Sequence, residues 1–132
     1  MISVVVDVDD TLICTDRRMQ SVWREVLGRD IPLEAVETLG LEQIFLKYAS
    51  QEQKARVNEF QRRFWDVVLC LEEVGVESLK LHDPFPSAAE VLQKWNRQCV
   101  LVYLTGRTEN MRELTLRELK KFGFPIDNAQ LV

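Results

Sequence analysis

Cysteine is scarce in this chain. There are three, Cys14, Cys70 and Cys99, odd in number and far apart. That spacing fits no zinc-site pattern, and it reads as reduced thiols in a cytoplasmic protein. Positive charge is also in deficit. Seventeen lysines and arginines against 21 aspartates and glutamates leave a net charge of −4. A general affinity for nucleic acid or an acidic membrane needs a basic field, so neither is expected as a partner. No apolar run approaches the ~20 residues of a membrane span. A signal peptide is not expected either, because the basic leading region is missing and the first apolar run is short and ends in acids. Internal repeats and low-complexity tracts are lacking. The lone histidine, His82, sits in a turn-like stretch beside Asp83 and Pro84. It precedes a helix away from the strand ends, which argues against a catalytic role.

What is present is ordinary in bulk and unusual in one place. Apolar residues make up 46% and charged residues 29%, as in other soluble globular domains. At 132 residues, one domain, or a small domain with an insert, is expected. Ile2 to Val8 is rich in β-branched residues and apolar on both faces, the pattern of a buried parallel strand. It runs straight into DVDDT, with Asp7, Asp9 and Asp10 inside four positions. A solvated turn is better served by one Asn or Gly than by three acids.

The region 16–81 reads as all-helical. Val22, Trp23, Val26 and Leu27 form one stripe, stopped by Gly28. Leu41, Ile44, Phe45 and Tyr48 form a second. A third runs from Val57 to Leu71 and ends near Gly75. The aromatic residues at helical spacing are read as core packing. Arg17-Arg18 reads as a solvated stretch at the entrance to this region, and Arg62-Arg63 as a solvated helix face. After the punctuation of 82–87, Ser87 is a candidate cap for a helix from Ala88 to Asn96. Cys99 to Leu104 is a second buried strand, followed at once by Thr105-Gly106-Arg107. A further helix carries Met111, Leu114, Leu119 and Phe122 and stops at Gly123. Ala129 to Val132 begins a third strand.

Strands alternating with helices imply a parallel α/β sheet with right-handed crossovers. In such sheets ligands bind beyond the carboxyl ends of the strands. Both DVDDT and TGR lie at such ends. Crowded carboxylates repel unless a cation joins them, and Mg²⁺ takes oxygen ligands beside a phosphate. Alternation along the strand puts Asp7 and Asp9 on one side, so one can act as nucleophile while the other handles the proton. Thr105 and the backbone N–H groups near Gly106 are placed to hold phosphate oxygens, with Gly permitting close approach.

DVDDT after a hydrophobic strand, a helical insert, and LTGR after a second strand together resemble the haloacid dehalogenase superfamily of phosphohydrolases. YLTGRTENMRELTLRELKKFGFP and PFPSAAEVLQKW add to the likeness, which spans almost the whole chain. The resemblance implies a Rossmannoid α/β core, 1–15 with 82–132, and an inserted all-helical cap, 16–81. By resemblance Asp7 is the nucleophile and a Mg²⁺ ligand. Asp9 is the general acid/base and ligates the metal through its backbone carbonyl. Thr11 braces the loop, and Thr105 with Gly106 binds phosphate. An acid at position 9 favours a phosphatase over a dehalogenase. The implied substrate is a phosphorylated small molecule or phosphoprotein, cleaved through an aspartyl-phosphate.

The departures are equally specific. The family's third-motif Lys and fourth-motif acidic pair have no counterpart here, since Lys120 and Lys121 fall one element too early. Three readings follow: a chain that continues further, a sheet completed by a second copy across an exposed edge, or a non-catalytic protein that binds a phosphate ligand or a partner. Arg107 has two readings, pointing at a substrate or pairing with Glu109 at the surface, and the surface pair is slightly favoured. Cys14, close to the acids, is read as structural.

Overall fold

The computed structural model describes residues 2–132. The chain divides into two compact units, the segment to Cys14 with Asp83–Val132, and Thr15–His82.

The first unit is built on a parallel sheet of β1 (Ser3–Asp7), β4 (Val100–Leu104) and β5 (Gln130–Leu131), in the order β1-β4-β5. The register runs from Ser3 opposite Val100 to Asp7 opposite Leu104, and Val102 lies opposite Gln130. Helix α7 (Ala88–Asn96) leads into β4, and α8 (Arg112–Lys121) leads from β4 toward β5. Both crossovers step the same way across the sheet, so right-handed connections put both helices on one face. On that face Val4 and Val6 pack with Leu92, Leu101, Tyr103, Leu119, Phe124 and Leu131. The opposite face is open, with Val5 61% and Leu104 49% exposed. The expectation that the first strand is buried on both faces is therefore corrected: its pattern is two-sided, but its burial is one-sided. The strand order also leaves β1 at an edge of the sheet.

Two local features shape this unit. The Tyr103 hydroxyl donates to the Pro125 carbonyl at 2.6 Å, and burial pushes its pKa up to about 12. A short antiparallel pair, β2 (Ile13–Cys14) with β3 (Asp83–Pro84), joins the two ends of this unit's chain where the helical segment departs and returns. Ser87 precedes α7 but does not cap it with its side chain. Its backbone is left-handed, φ 65°, rather than in the extended conformation a capping serine takes.

The second unit holds six helices among the described residues: α1 (Asp16–Leu27), α2 (Leu33–Thr38), α3 (Leu41–Tyr48), α4 (Gln51–Ala55), α5 (Val57–Val68) and α6 (Glu73–Ser78). A single 3₁₀ turn, Leu79–Leu81, follows. Val22, Trp23, Val26, Leu27, Ile31, Ile44, Phe64 and Val67 form its core, each fully buried aliphatic side chain contributing about 1.5–3 kcal/mol. The Trp23 and Phe64 rings lie 4.5 Å apart. Gly28 stops α1 at φ 70°, its N–H donating to the Arg24 carbonyl. Helix α4 opens with a reciprocal cap: Gln53 N–H donates to Ser50 Oγ, and Ser50 N–H donates to Gln53 Oε1.

Two sequence expectations fail in this unit. The third stripe breaks at Val68, and Gly75 lies inside α6 rather than ending a helix. A Cβ on Gly75 would sit 2.2 Å from the Val67 carbonyl oxygen, so glycine is there to let two backbones meet. Arg18 is 3% exposed, not solvated. Its Nε donates to Ser78 Oγ at 2.9 Å and its Nη2 to the Val68 carbonyl at 2.7 Å. The cation thus sits on the last carbonyls of α5, where the helix dipole is negative. His82 is buried beside the 3₁₀ turn that it ends.

Candidate functional site

The sheet register brings the two strand-end segments together. Asp7 is level with Leu104, and Val8 N–H donates to the Leu104 carbonyl at 3.3 Å. DVDDT and TGR therefore begin side by side. After Asp7 the chain turns sharply. Thr11, Leu12 and Ile13 N–H groups all donate to the Val8 carbonyl, and Asp10 adopts φ 62°. The left-handed residue suits an aspartate, whose side chain tolerates that region better than most.

Each carboxylate has a distinct setting. Asp7 Oδ1 accepts from Val8 N–H at 3.0 Å, and its Oδ2 accepts from the Thr11 hydroxyl at 3.4 Å. The Thr11 hydroxyl thus lies beside the Asp7 carboxylate. Asp9 faces the second segment. Its Oδ2 accepts from Arg107 Nε at 3.1 Å and its Oδ1 from Arg107 Nη2 at 2.7 Å, a bidentate pair. Asp10 is exposed.

On the facing segment, Thr105 Oγ1 accepts from Arg107 N–H at 3.0 Å, which leaves its own proton to be donated elsewhere. A Cβ on Gly106 would meet nothing within 4 Å, so the backbone there borders open space. Arg107 does not pair with Glu109, as its sequence neighbourhood suggests. Glu109 lies 3.8 Å from Arg112 instead. The Arg107 side chain is only 6% exposed and also reaches Glu118 at 2.8 Å and Thr115 Oγ1 at 3.1 Å. Burial works to lower its pKa, but the hydrogen bonds and charges of Asp9 and Glu118 outweigh this and hold it above its ordinary value.

Arg107, Glu118 and Thr115 are the residues that a linear reading does not assemble. Thr115 and Glu118 lie three apart on α8, a spacing that puts both on one helix face. The signal was present, but the partner they turn toward is fixed only by the sheet.

For Mg²⁺ the donor set is sparse. Among the described residues no group of three or more His, Cys, Asp or Glu is placed to hold a metal. The Asp7 carboxylate and the Asp9 backbone carbonyl suit a cation that takes one or two protein oxygens and completes its shell with water and phosphate. The Asp9 carboxylate is engaged by Arg107.

A hollow of about 360 Å³ is in the helical unit, bounded by Trp23, Phe45, Phe60, Phe64 and Trp65, and none of Asp7, Asp9 and Asp10 lines it. The aromatic stripe therefore packs as core on one side and lines a hollow on the other. No helix among the described residues is long and apolar enough to cross a membrane.

No family profile matches the sequence, and no curated protein matches it. A solved structure does. It is a hydrolase described as a haloacid dehalogenase-like family protein, from Streptococcus pneumoniae, 15% identical, with a TM-score of 0.58. The match covers 92% of this chain and 58% of that one. A mixed α/β unit on a three-stranded parallel sheet, with a helical segment between its first two parallel strands, thus has the haloacid dehalogenase-like fold.

Proposed function

We propose that this chain is a Mg²⁺-dependent phosphoric monoester hydrolase acting through an aspartyl-phosphate. The observation that carries the reading is the facing of Asp7, braced by Thr11, with the Thr105–Gly106 segment across one parallel register. Asp7 Oδ attacks phosphorus in line. Its loop holds the carboxylate through Val8 N–H and Thr11, so little reorganisation is needed at the moment of attack. The Thr105 hydroxyl and the Gly106 backbone hold the phosphoryl oxygens. Asp9, entering as the carboxylic acid, gives its proton to the leaving oxygen, and the carboxylate so formed, the state that both Arg107 contacts suit, takes one from the water that cleaves the acyl-phosphate. Asp7 and the Asp9 carbonyl would hold Mg²⁺, which when bound offsets the charge of the transferring group.

The substrate class is a phosphorylated small molecule or phosphoprotein, met in the cytoplasm, and a second copy is proposed to pair along the β1 edge. That the structural neighbour is a hydrolase supports the reaction class. The test is Mg²⁺-dependent hydrolysis of p-nitrophenyl phosphate, with Asp7→Asn as control. Turnover that needs both Asp7 and Mg²⁺ supports the reading, and a folded chain with no turnover refutes it.

A second reading has its own support. The lack of a three-ligand acidic cluster among the described residues favours a non-catalytic protein that binds a phosphate ligand or a partner. Inorganic phosphate that raises the melting temperature without any turnover would select it.

A further inference from the structure

We infer that Arg107, backed by Glu118 and Thr115 of α8, is the positioning residue for Asp9. This rests on the phosphatase reading above and adds a residue to it. The guanidinium has five N–H donors. Its Nε and Nη2 grip the two Asp9 oxygens at 3.1 and 2.7 Å, Nη2 also reaches Glu118 at 2.8 Å, and Nη1 reaches Thr115 at 3.1 Å.

The arrangement does more than bind two segments. A two-point grip on both oxygens of one carboxylate fixes the plane of that group as well as its place. Asp9 needs such control, because it lies on a turning loop beyond the end of β1 and its side chain is 36% exposed. Arg107 can supply it, because its own side chain is 6% exposed and Glu118 is 10% exposed. Thr115 in turn donates to the Met111 carbonyl at 2.8 Å, at the N-terminal end of its own helix. Rigidity therefore passes from the first turn of α8, through the guanidinium, to the carboxylate that moves the proton. A ligating role for Arg107 on the substrate phosphate is disfavoured, since its fork is already spent on Asp9.

The test is kinetic, on the full chain with Mg²⁺, comparing wild type, Arg107→Lys, Asp9→Asn and the double variant. Two substrates are used, p-nitrophenyl phosphate and an alkyl phosphate whose leaving oxygen needs the proton more. Lysine keeps the charge but cannot grip two oxygens. Arg107→Lys is expected to lower kcat at least tenfold, with KM within twofold, and to lower it further for the alkyl ester. In the double variant kcat is expected to equal that of Asp9→Asn alone, because groups acting as one unit are not additive. Glu118→Gln, which keeps an oxygen acceptor, is expected to give a smaller loss of the same kind. Losses that multiply in the double variant, or a KM that rises while kcat holds, would overturn the inference and leave the phosphatase reading intact. A folded wild type without turnover overturns both.

Discussion

Each unit holds an arginine side chain out of solvent, and the two are held by different chemistry. Arg18 in the helical unit reaches a serine hydroxyl and the closing carbonyls of α5. Arg107 in the α/β unit reaches the carboxylates of Asp9 and Glu118. Buried carbonyls at a helix end need donors, which Arg18 helps to supply, and that is a matter of folding. A half-exposed carboxylate at a strand end needs none to fold, and fixing it is a matter of chemistry. Two glycines divide the same way. Gly75 abuts the Val67 carbonyl, while Gly106 borders open space.

That contrast can be broken most forcibly at Asp7. Asp7→Asn is expected to reduce turnover on the order of 10³-fold or more, with the melting temperature held, because a carboxylate crowded by other acids is no asset to stability. Activity and thermal melts on one preparation check this, and unfolding of the variant would make the cluster structural. The glycines come next. Gly75→Ala is expected to destabilise by about 3 kcal/mol, the cost of forcing apart packed backbone, whereas Gly106→Ala stays within about 0.5 kcal/mol yet loses activity. Denaturant melts and the ester assay separate the two. Arg18→Met should cost about 2–3 kcal/mol by stranding buried carbonyls, read as a lower denaturant midpoint with unchanged KM.

The last effect is alkaline. The Tyr103 phenol titrates near 10 when unfolded and about 12 when folded. Its proton is held more tightly in the native state, so its stabilisation is complete below pH 10 and fades as the pH rises through 12. Two units correspond to about 2–3 kcal/mol. Between pH 9 and 12 the wild type should lose stability more steeply than Tyr103→Phe.

Local chemistry was legible where one residue decides it. Gly28 marks the end of α1, and the run from Val100 to Leu104 declares a strand. The Ser50–Gln53 cap follows the S-x-x-Q spacing, although no apolar stripe was assigned between Tyr48 and Val57, where α4 lies. Asp7, Thr11, Thr105 and Gly106 could be named, because strand-end position is a property of a short pattern. The break at Val68 could not be seen, since the apolar stripe runs on to Leu71, while the turn rests on Cys70 at φ 59° and on the close approach of Gly75. The one-sided burial of β1 was also hidden. It follows from the direction in which two crossovers step, which no single strand's composition encodes. Arg107 was misread for the same reason: its partners lie far off in sequence, at Asp9 and Glu118.

The pairing of Cys14 with Asp83 bears on how the chain acquires its shape during synthesis. β1 is made first, yet its neighbour in the sheet begins at Val100. Left alone, the ends would have to find each other across a long unstructured loop, which is entropically costly and slow. The intervening helices are contiguous, rich in short-range contacts, and complete by His82. They can form before β4 exists and shorten that search from many residues to a few. Once β4 is made, the first strand then has only a short gap to close, which limits its exposure to aggregation.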